Sequence, residues 1–449
     1  MMMRAVELAI EALASVEAEG KGERLALAEA VQKLGVREPN VIRLAHRLVV
    51  ETLKRLGLVD ELVSLALEEE ADLMSVRPRI RAFLRLLAYR AAIEKADVGE
   101  LIEFVRAGRE VLGHKALRPF EEAIGRCTVL APEDALSGKK GDDRLALELG
   151  VPRWLLEQLY RSLGRRLALA VLRASMERQP TYIRVNTLRA PEEEVLRSLE
   201  LEGVKLRAVE GLRHVYEVLE AEKPLVLTSA YREGLFYIQD KASCLAVEVA
   251  GPEPGHAVLD VCAAPGAKTS HLAQLMGNKG LIISVDFSER RMKVWRTLTG
   301  RMGVKIALSV LSDARFELPV RLKADIVLLD PPCTSTGAFS RAPSARWRLR
   351  PKSARNMARI QARMLDACAE HVRPGGALIY ATCSLLVEEN ELVVERFLRT
   401  HPDFELERAE PFLGSPGLRG LGACQRLYSH LHACDGYFIA KLRRAGPWG

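Results

Sequence analysis

No stretch of this chain stays apolar for the roughly 18–20 residues that a membrane span requires. Nor does the N-terminus read as a secretory signal, because Glu7 and Glu11 interrupt what would be its apolar core. Eight cysteines are spread from Cys127 to Cys434 without one CxxC pair, which argues against a disulfide framework and for reduced thiols. Cys424, His430, His432 and Cys434 lack the close pairs of a zinc site, so no metal is expected. Asparagine (5) and glutamine (7) are scarce, as in proteins from hot environments. These absences predict a cytoplasmic protein with no membrane partner.

What is present suits a soluble globular chain. Of 449 residues, 48% are hydrophobic and 28% charged, and the length calls for two or three domains. A net charge of +7 favours a polyanionic partner, although a basic surface can also serve solubility alone.

Helical periodicity fills the first part, as in Ala5, Val6, Leu8, Ala9, Ala12 and Leu13 and again in Val41, Ile42, Leu44, Ala45, Leu48 and Val49. A helical domain over residues 1–136 is predicted. A glycine- and charge-rich break, Ser137 to Asp143, ends it. Residues 145–250 read as linking helices followed by a small α/β module that opens with the alternation Tyr182-Ile183-Arg184-Val185-Asn186. Residues 251–449 read as a strand–helix alternation, with short apolar runs at Val258, Ile282, Asp325 and Ala377, as buried parallel strands do. Pro374-Gly375-Gly376 is read as the turn that sets up the last of them.

Two groups of residues stand at strand ends, where a doubly wound sheet forms its ligand crevice. The first is the turn Asp260-Val261-Cys262-Ala263-Ala264-Pro265-Gly266-Ala267-Lys268-Thr269, whose small residues let backbone amides approach a ligand. It matches neither a P-loop nor GxGxxG. With Asp286 placed for ribose hydroxyls and Asp313 for an adenine amine, it points to an adenosine ligand. The second group is Asp330-Pro331-Pro332-Cys333 and Thr382-Cys383-Ser384, at the ends of strands expected to be neighbours. One carboxylate and two thiols suit methylation at carbon 5 of cytosine. That carbon becomes nucleophilic only when a thiolate adds to carbon 6, and a second group must later take the carbon 5 proton. Between Ser340 and Arg363 lie eight basic residues and no acid, among them Arg341, Arg346, Arg348, Arg350 and Arg359, with Trp347 in their midst. A run of one sign predicts phosphate contacts, and Trp347 is placed either to stack on a base or to anchor the loop.

These motifs, with Pro152-Arg153-Trp154-Leu155, Arg184-Val185-Asn186-Thr187-Leu188, Gly234 to Asp240 and Asp435-Gly436-Tyr437-Phe438, resemble the RNA cytosine-5 methyltransferases of the RsmB/Nop2/Sun group. The resemblance implies three parts: an all-α NusB-like bundle, an RRM-like RNA-binding module, and a Rossmann-like domain with a seven-stranded, mostly parallel sheet. It implies Cys383 as nucleophile, Cys333 as the group that assists product release, and Asp330 as the holder of the cytosine. It places S-adenosyl-L-methionine on Ala263, Ala264, Pro265, Gly266, Lys268, Asp286, Arg291, Asp313 and Asp330. The implied substrate is RNA, with small-subunit rRNA favoured over tRNA, and the expected state is a monomer. Ala267 stands where the group usually has a second glycine. The competing readings are a tRNA enzyme of the same group and an assembly factor that binds RNA without catalysis. A DNA cytosine-5 enzyme would carry its nucleophile in the Pro-Cys loop itself and would not need Thr382-Cys383-Ser384.

Overall fold

The helical periodicity of the N-terminal part is realised as helices that bury their small and branched residues. In a computed structural model, which describes residues 1–68 and 71–446, the first helix, Met2–Glu19, buries Ala5, Val6, Leu8, Ala9, Ile10, Ala12 and Leu13. It stops at Gly20, which takes the left-handed conformation (φ 65°) that favours glycine. Helix Pro39–Lys54 starts on its proline, whose missing N–H costs nothing in the first turn. Helix Val98–Leu112 is capped by Asp97, which accepts from the Glu100 N–H at 2.9 Å. No helix among the described residues is long and apolar enough to cross a membrane.

Contacts divide the chain into two units. One is Met1–Glu177 with Ala338–Pro351; the other is Arg178–Gly337 with the chain from Lys352 onward. Helices Arg153–Leu163 and Arg165–Met176, read from sequence as linking helices, group with the helical unit, and so does the segment 338–351. The break at Ser137 is shorter than expected, because a helix, Gly141–Glu148, begins within it.

Four strands follow in the second unit: β1 (Thr181–Val185), β2 (Val204–Ala208), β3 (Val215–Ala221) and β4 (Phe236–Ile238). Helix Glu192–Leu201 joins β1 to β2, and the short helix Ser229–Glu233 lies between β3 and β4. The order β2-β3-β1-β4, antiparallel throughout, is a split βαββαβ sheet.

The larger sheet holds β5 (Ala257–Val261), β6 (Leu281–Asp286), β7 (Ala307–Leu311), β8 (Ala324–Leu329), β9 (Val372–Thr382), β10 (Phe404–Glu407), β11 (Ser415–Pro416), β12 (Gln425–Leu427) and β13 (Tyr437–Arg444). Its order is β11-β12-β13-β9-β8-β5-β6-β7, with β10 on β13. The expectation of seven mostly parallel strands is corrected here. Nine strands are described, and four pairings are parallel and four antiparallel. The reason lies after Thr400, where the connections between strands are too short for the crossover of a dozen or more residues that a parallel pair needs.

Pro374-Gly375-Gly376 is not a turn before a strand. Pairing jumps from Ala324 opposite Val372 to Ile326 opposite Ala377, so these residues form a bulge inside β9. After β5, β6 and β7 the chain returns to place β8 on the other side of β5. Ligand crevices form at the carboxyl ends of strands beside such a switch.

Candidate active site

The turn after β5 is held by a chain of polar contacts below it. Thr269 donates to the buried Asp260 carboxylate at 2.5 Å, and the Trp295 indole N–H donates to Thr269 at 2.9 Å. Burial pushes the Asp260 carboxyl up to about 7. Gly266 has φ 108°, and a Cβ there would lie 3.1 Å from the Trp295 ring, so glycine keeps the floor of the turn open. Ala263 and Ala264 are buried and Pro265 is exposed. At the end of β6, Asp286 accepts from the Ala264 N–H at 3.3 Å and the Ser288 N–H at 3.0 Å. Arg291 pairs with it at 3.2 Å and also donates to the Ala264 carbonyl. Asp313, two residues past β7, accepts from both the backbone and the guanidinium of Arg315, which holds its carboxyl below the usual range. Ala263, Ala264, Gly266 and Asp286 are thus brought together. Asp313 stands at the third strand end with Arg315 as its partner.

Across β5, Lys268 reaches the end of β8. Its ammonium donates to Asp330 Oδ2 at 2.5 Å, and the Tyr437 hydroxyl donates to Oδ1 at 3.4 Å. Burial alone would lower the lysine's pKa, but the Asp330 charge beside it lifts it above its ordinary value. Lys268 therefore stays charged and holds Asp330 at a fixed place in the crevice.

The two cysteines meet as their strand positions demand. β8 and β9 are parallel neighbours, and Cys333 Sγ lies 3.3 Å from Cys383 Sγ, each thiol partly exposed. Ser335 lies 3.5 Å from the Cys383 sulfur. The hydrogen bond to Cys383, and then burial, pushes the Cys333 thiol well above its ordinary value.

Behind the thiols sits a carboxylate that no sequence motif marks. Glu389 is 0% exposed, and its oxygens accept from the Thr334 N–H at 2.9 Å, the Thr334 hydroxyl, the Ser384 hydroxyl at 2.6 Å and Gln361 Nε2 at 2.9 Å. Gln361 also donates to the Pro332 carbonyl at 3.0 Å. Glu389, Gln361, Thr334 and Tyr437 were not singled out from sequence. Tyr437 lies in a motif already noted, but Glu389 sits in Glu388-Glu389-Asn390-Glu391, a pattern that reads as a solvated turn.

The basic run separates into buried and exposed members. Arg346 is corrected from a phosphate ligand to a structural residue. It is 0% exposed and donates to the carbonyls of Leu149 (2.9 Å), Gly150 (3.2 Å) and Ser175 (3.2 Å), all within the helical unit. Trp347 donates its indole N–H to the Leu53 carbonyl at 2.7 Å and anchors the segment. Arg341 is half-buried, whereas Arg348 and Arg350 are exposed.

The chain is similar to known proteins over nearly all of its length. The family model described as 16S rRNA methyltransferase RsmB/F matches residues 247–443, and that of the ferredoxin-like domain of RsmF/B-like methyltransferases matches residues 151–220. A probable ribosomal RNA small subunit methyltransferase B of Bacillus subtilis is 28% identical over 98% of both chains. A tRNA (cytosine(72)-C(5))-methyltransferase of Pyrococcus horikoshii is 40% identical over 48% of this chain and 54% of its own. The crystal structure of PH0851 superposes with a TM-score of 0.86 at 32% identity, over 98% of this chain and 99% of that one. This chain belongs to the RsmB/F methyltransferase family. As an RsmB/F member it is an RNA methyltransferase, of a family that modifies cytosine at carbon 5. Its split βαββαβ sheet overlaps the match to the RsmF/B ferredoxin-like domain, and its thiol pair lies within the RsmB/F match.

Proposed function

We propose that this enzyme methylates carbon 5 of a cytosine in small-subunit rRNA through a covalent adduct between Cys383 and carbon 6. The observation that carries the reading is the pair of thiols 3.3 Å apart at the ends of β8 and β9, in one crevice with the Lys268–Asp330 pair. Cys383 Sγ, as the thiolate, forms a bond to carbon 6. Asp330, oriented by Lys268 and Tyr437, accepts from the exocyclic amine beside the ring nitrogen and so stabilises the adduct. S-adenosyl-L-methionine, when bound, supplies the electrophilic methyl group that carbon 5 takes up. Cys333, protonated and 3.3 Å from the Cys383 sulfur, passes its proton to that sulfur as the Cys383–carbon 6 bond breaks, and takes up the carbon 5 proton in its place.

The cofactor site fits the residues present. Ala263, Ala264, Pro265 and Gly266 leave room along the backbone, and Lys268, Asp286, Arg291, Asp313 and Asp330 line the strand ends around it. Asp286 already accepts three contacts, which leaves one of about four acceptor positions for a ribose hydroxyl unless Arg291 swings aside.

Similarity over the full length to a small-subunit rRNA enzyme favours rRNA, whereas the tRNA enzyme matches about half of the chain. The helical unit is read as NusB-like and RNA-binding, with Arg341, Arg348 and Arg350 as phosphate contacts, and the enzyme as a cytoplasmic monomer. The test is transfer from methyl-labelled S-adenosylmethionine to unmodified small-subunit rRNA and to tRNA, followed by nucleoside analysis. The reading expects 5-methylcytidine in the rRNA. Label in tRNA alone would move the substrate assignment, and no label in either RNA or in assembling small subunits would favour the assembly-factor reading.

A further inference from the structure

We propose that Glu389 is a positioning residue that clamps the two cysteine loops together and so sets the geometry of the thiol pair. The inference rests on the assignment of Cys383 and Cys333 above and goes beyond it, because Glu389 touches neither sulfur.

A carboxylate offers about four acceptor positions, and all four have a donor here. Oε1 takes the hydroxyls of Thr334 and Ser384, the residues immediately after Cys333 and Cys383. Oε2 takes the Thr334 N–H and Gln361 Nε2. One side chain thus ties both thiol loops to each other and to helix Ser353–Ala369, while Gln361 also fixes the Pro332 carbonyl on the other side of Cys333. Glu389 is itself held, since its own carbonyl accepts from the buried Tyr380 hydroxyl at 2.5 Å. Neighbouring bonds complete the frame: Asn390 accepts from Thr382 at 2.6 Å and donates to the Ser384 carbonyl at 2.8 Å, and the Gly337 N–H donates to the Cys383 carbonyl at 2.9 Å.

A buried carboxylate is costly and persists only when its acceptors are filled. A donor set that comes from the residues flanking both thiols, and from the helix beside them, is what a clamp requires. Burial pushes the Glu389 carboxyl above its ordinary value against those hydrogen bonds, and four donors are satisfied together only by the ionised form. Catalysis is sensitive to small displacements of reacting groups, so loosening this clamp should act on turnover rather than on RNA affinity.

The test uses full-length Cys333→Ala, in which the carbon 5 proton is not removed and the methylated RNA–protein adduct accumulates. Its rate of formation is compared with that of Cys333→Ala/Glu389→Gln, using labelled methyl donor and denaturing gels. Glutamine keeps the length of the side chain but cannot accept from four donors. Adduct formation should slow by about tenfold at saturating RNA, with the RNA concentration for half-maximal rate changed less than twofold. Ser384→Ala, which removes one donor and leaves the carboxylate in place, should slow it by a smaller factor, and it serves if the Glu389 variant does not fold. Adduct that forms at the parental rate in both variants overturns the clamp alone. No adduct in Cys333→Ala itself overturns the assignment of the thiols on which the clamp rests.

Discussion

Lys268 joins two motifs that lie 62 residues apart, and much of the site's electrostatics depends on it. Its charge balances Asp330 in a crevice where an unbalanced carboxylate would disfavour holding the pyrimidine. Lys268→Met should lower kcat by roughly 10² while the protein stays folded, a loss readable from initial rates beside a thermal melt. A second residue-scale expectation concerns His271, which is 0% exposed and has no hydrogen-bond partner at either ring nitrogen among the described residues. Burial and then the charges of Arg184 and Arg213 hold its pKa well below the ordinary 6.5. The unfolded chain therefore binds a proton below about pH 6.5 that the folded protein refuses, and stability should fall as the pH drops through that value. Urea unfolding between pH 5 and 7.5 should show this slope in the wild type and a shallower one in His271→Leu. At this scale the sequence was eloquent where chemistry is concentrated at strand ends, as at Cys333, Cys383, Asp286 and Asp330. It was silent about Glu389, because an acid among acids carries no sign that the fold will bury it.

Segment 338–351 shows how an element can be misread when charge is taken without burial. Its short helix, Ser344–Arg348, turns Arg346 inward onto backbone carbonyls and stacks the guanidinium over Phe339 at 5.0 Å, while Arg348 faces solvent. No periodicity announces this in five residues. Arg346→Met strands several buried carbonyls and should destabilise the helical unit by about 2–4 kcal/mol, measured by urea unfolding. Arg348→Met should leave stability within about 0.5 kcal/mol. The bulge in β9 was hidden for a related reason. Pro374-Gly375-Gly376 has the composition of a turn, and only the pairing of Val372 with Ala324 shows that the strand has already begun.

For the molecule as a whole, strand–helix alternation made the parallel half of the large sheet legible, and with it the crevice. In the antiparallel half, β11 and β12 were not legible because they are two and three residues long, too short to show alternation. Net charge is a property of this scale too. Arg355, Arg359 and Arg363, one turn apart on helix Ser353–Ala369, are exposed and have no ion pair among the described residues. If they contact RNA phosphates, Arg355→Gln with Arg359→Gln should reduce the slope of log affinity against log salt by about 1.5, at about 0.7–0.9 per contact. A filter-binding series from 50 to 300 mM salt would show it.

A covalent bond from Cys383 to the cytosine can be trapped. RNA carrying 5-fluorocytidine can still take up the methyl group at carbon 5, but fluorine stands where the departing proton would be and no base can remove it, so the adduct cannot resolve. After incubation with S-adenosylmethionine and digestion, mass spectrometry should find the nucleotide on the peptide containing Cys383, and Cys383→Ala should give none. The nucleotide on the peptide containing Cys333, or an undiminished adduct in Cys383→Ala, would rule out Cys383 as the nucleophile.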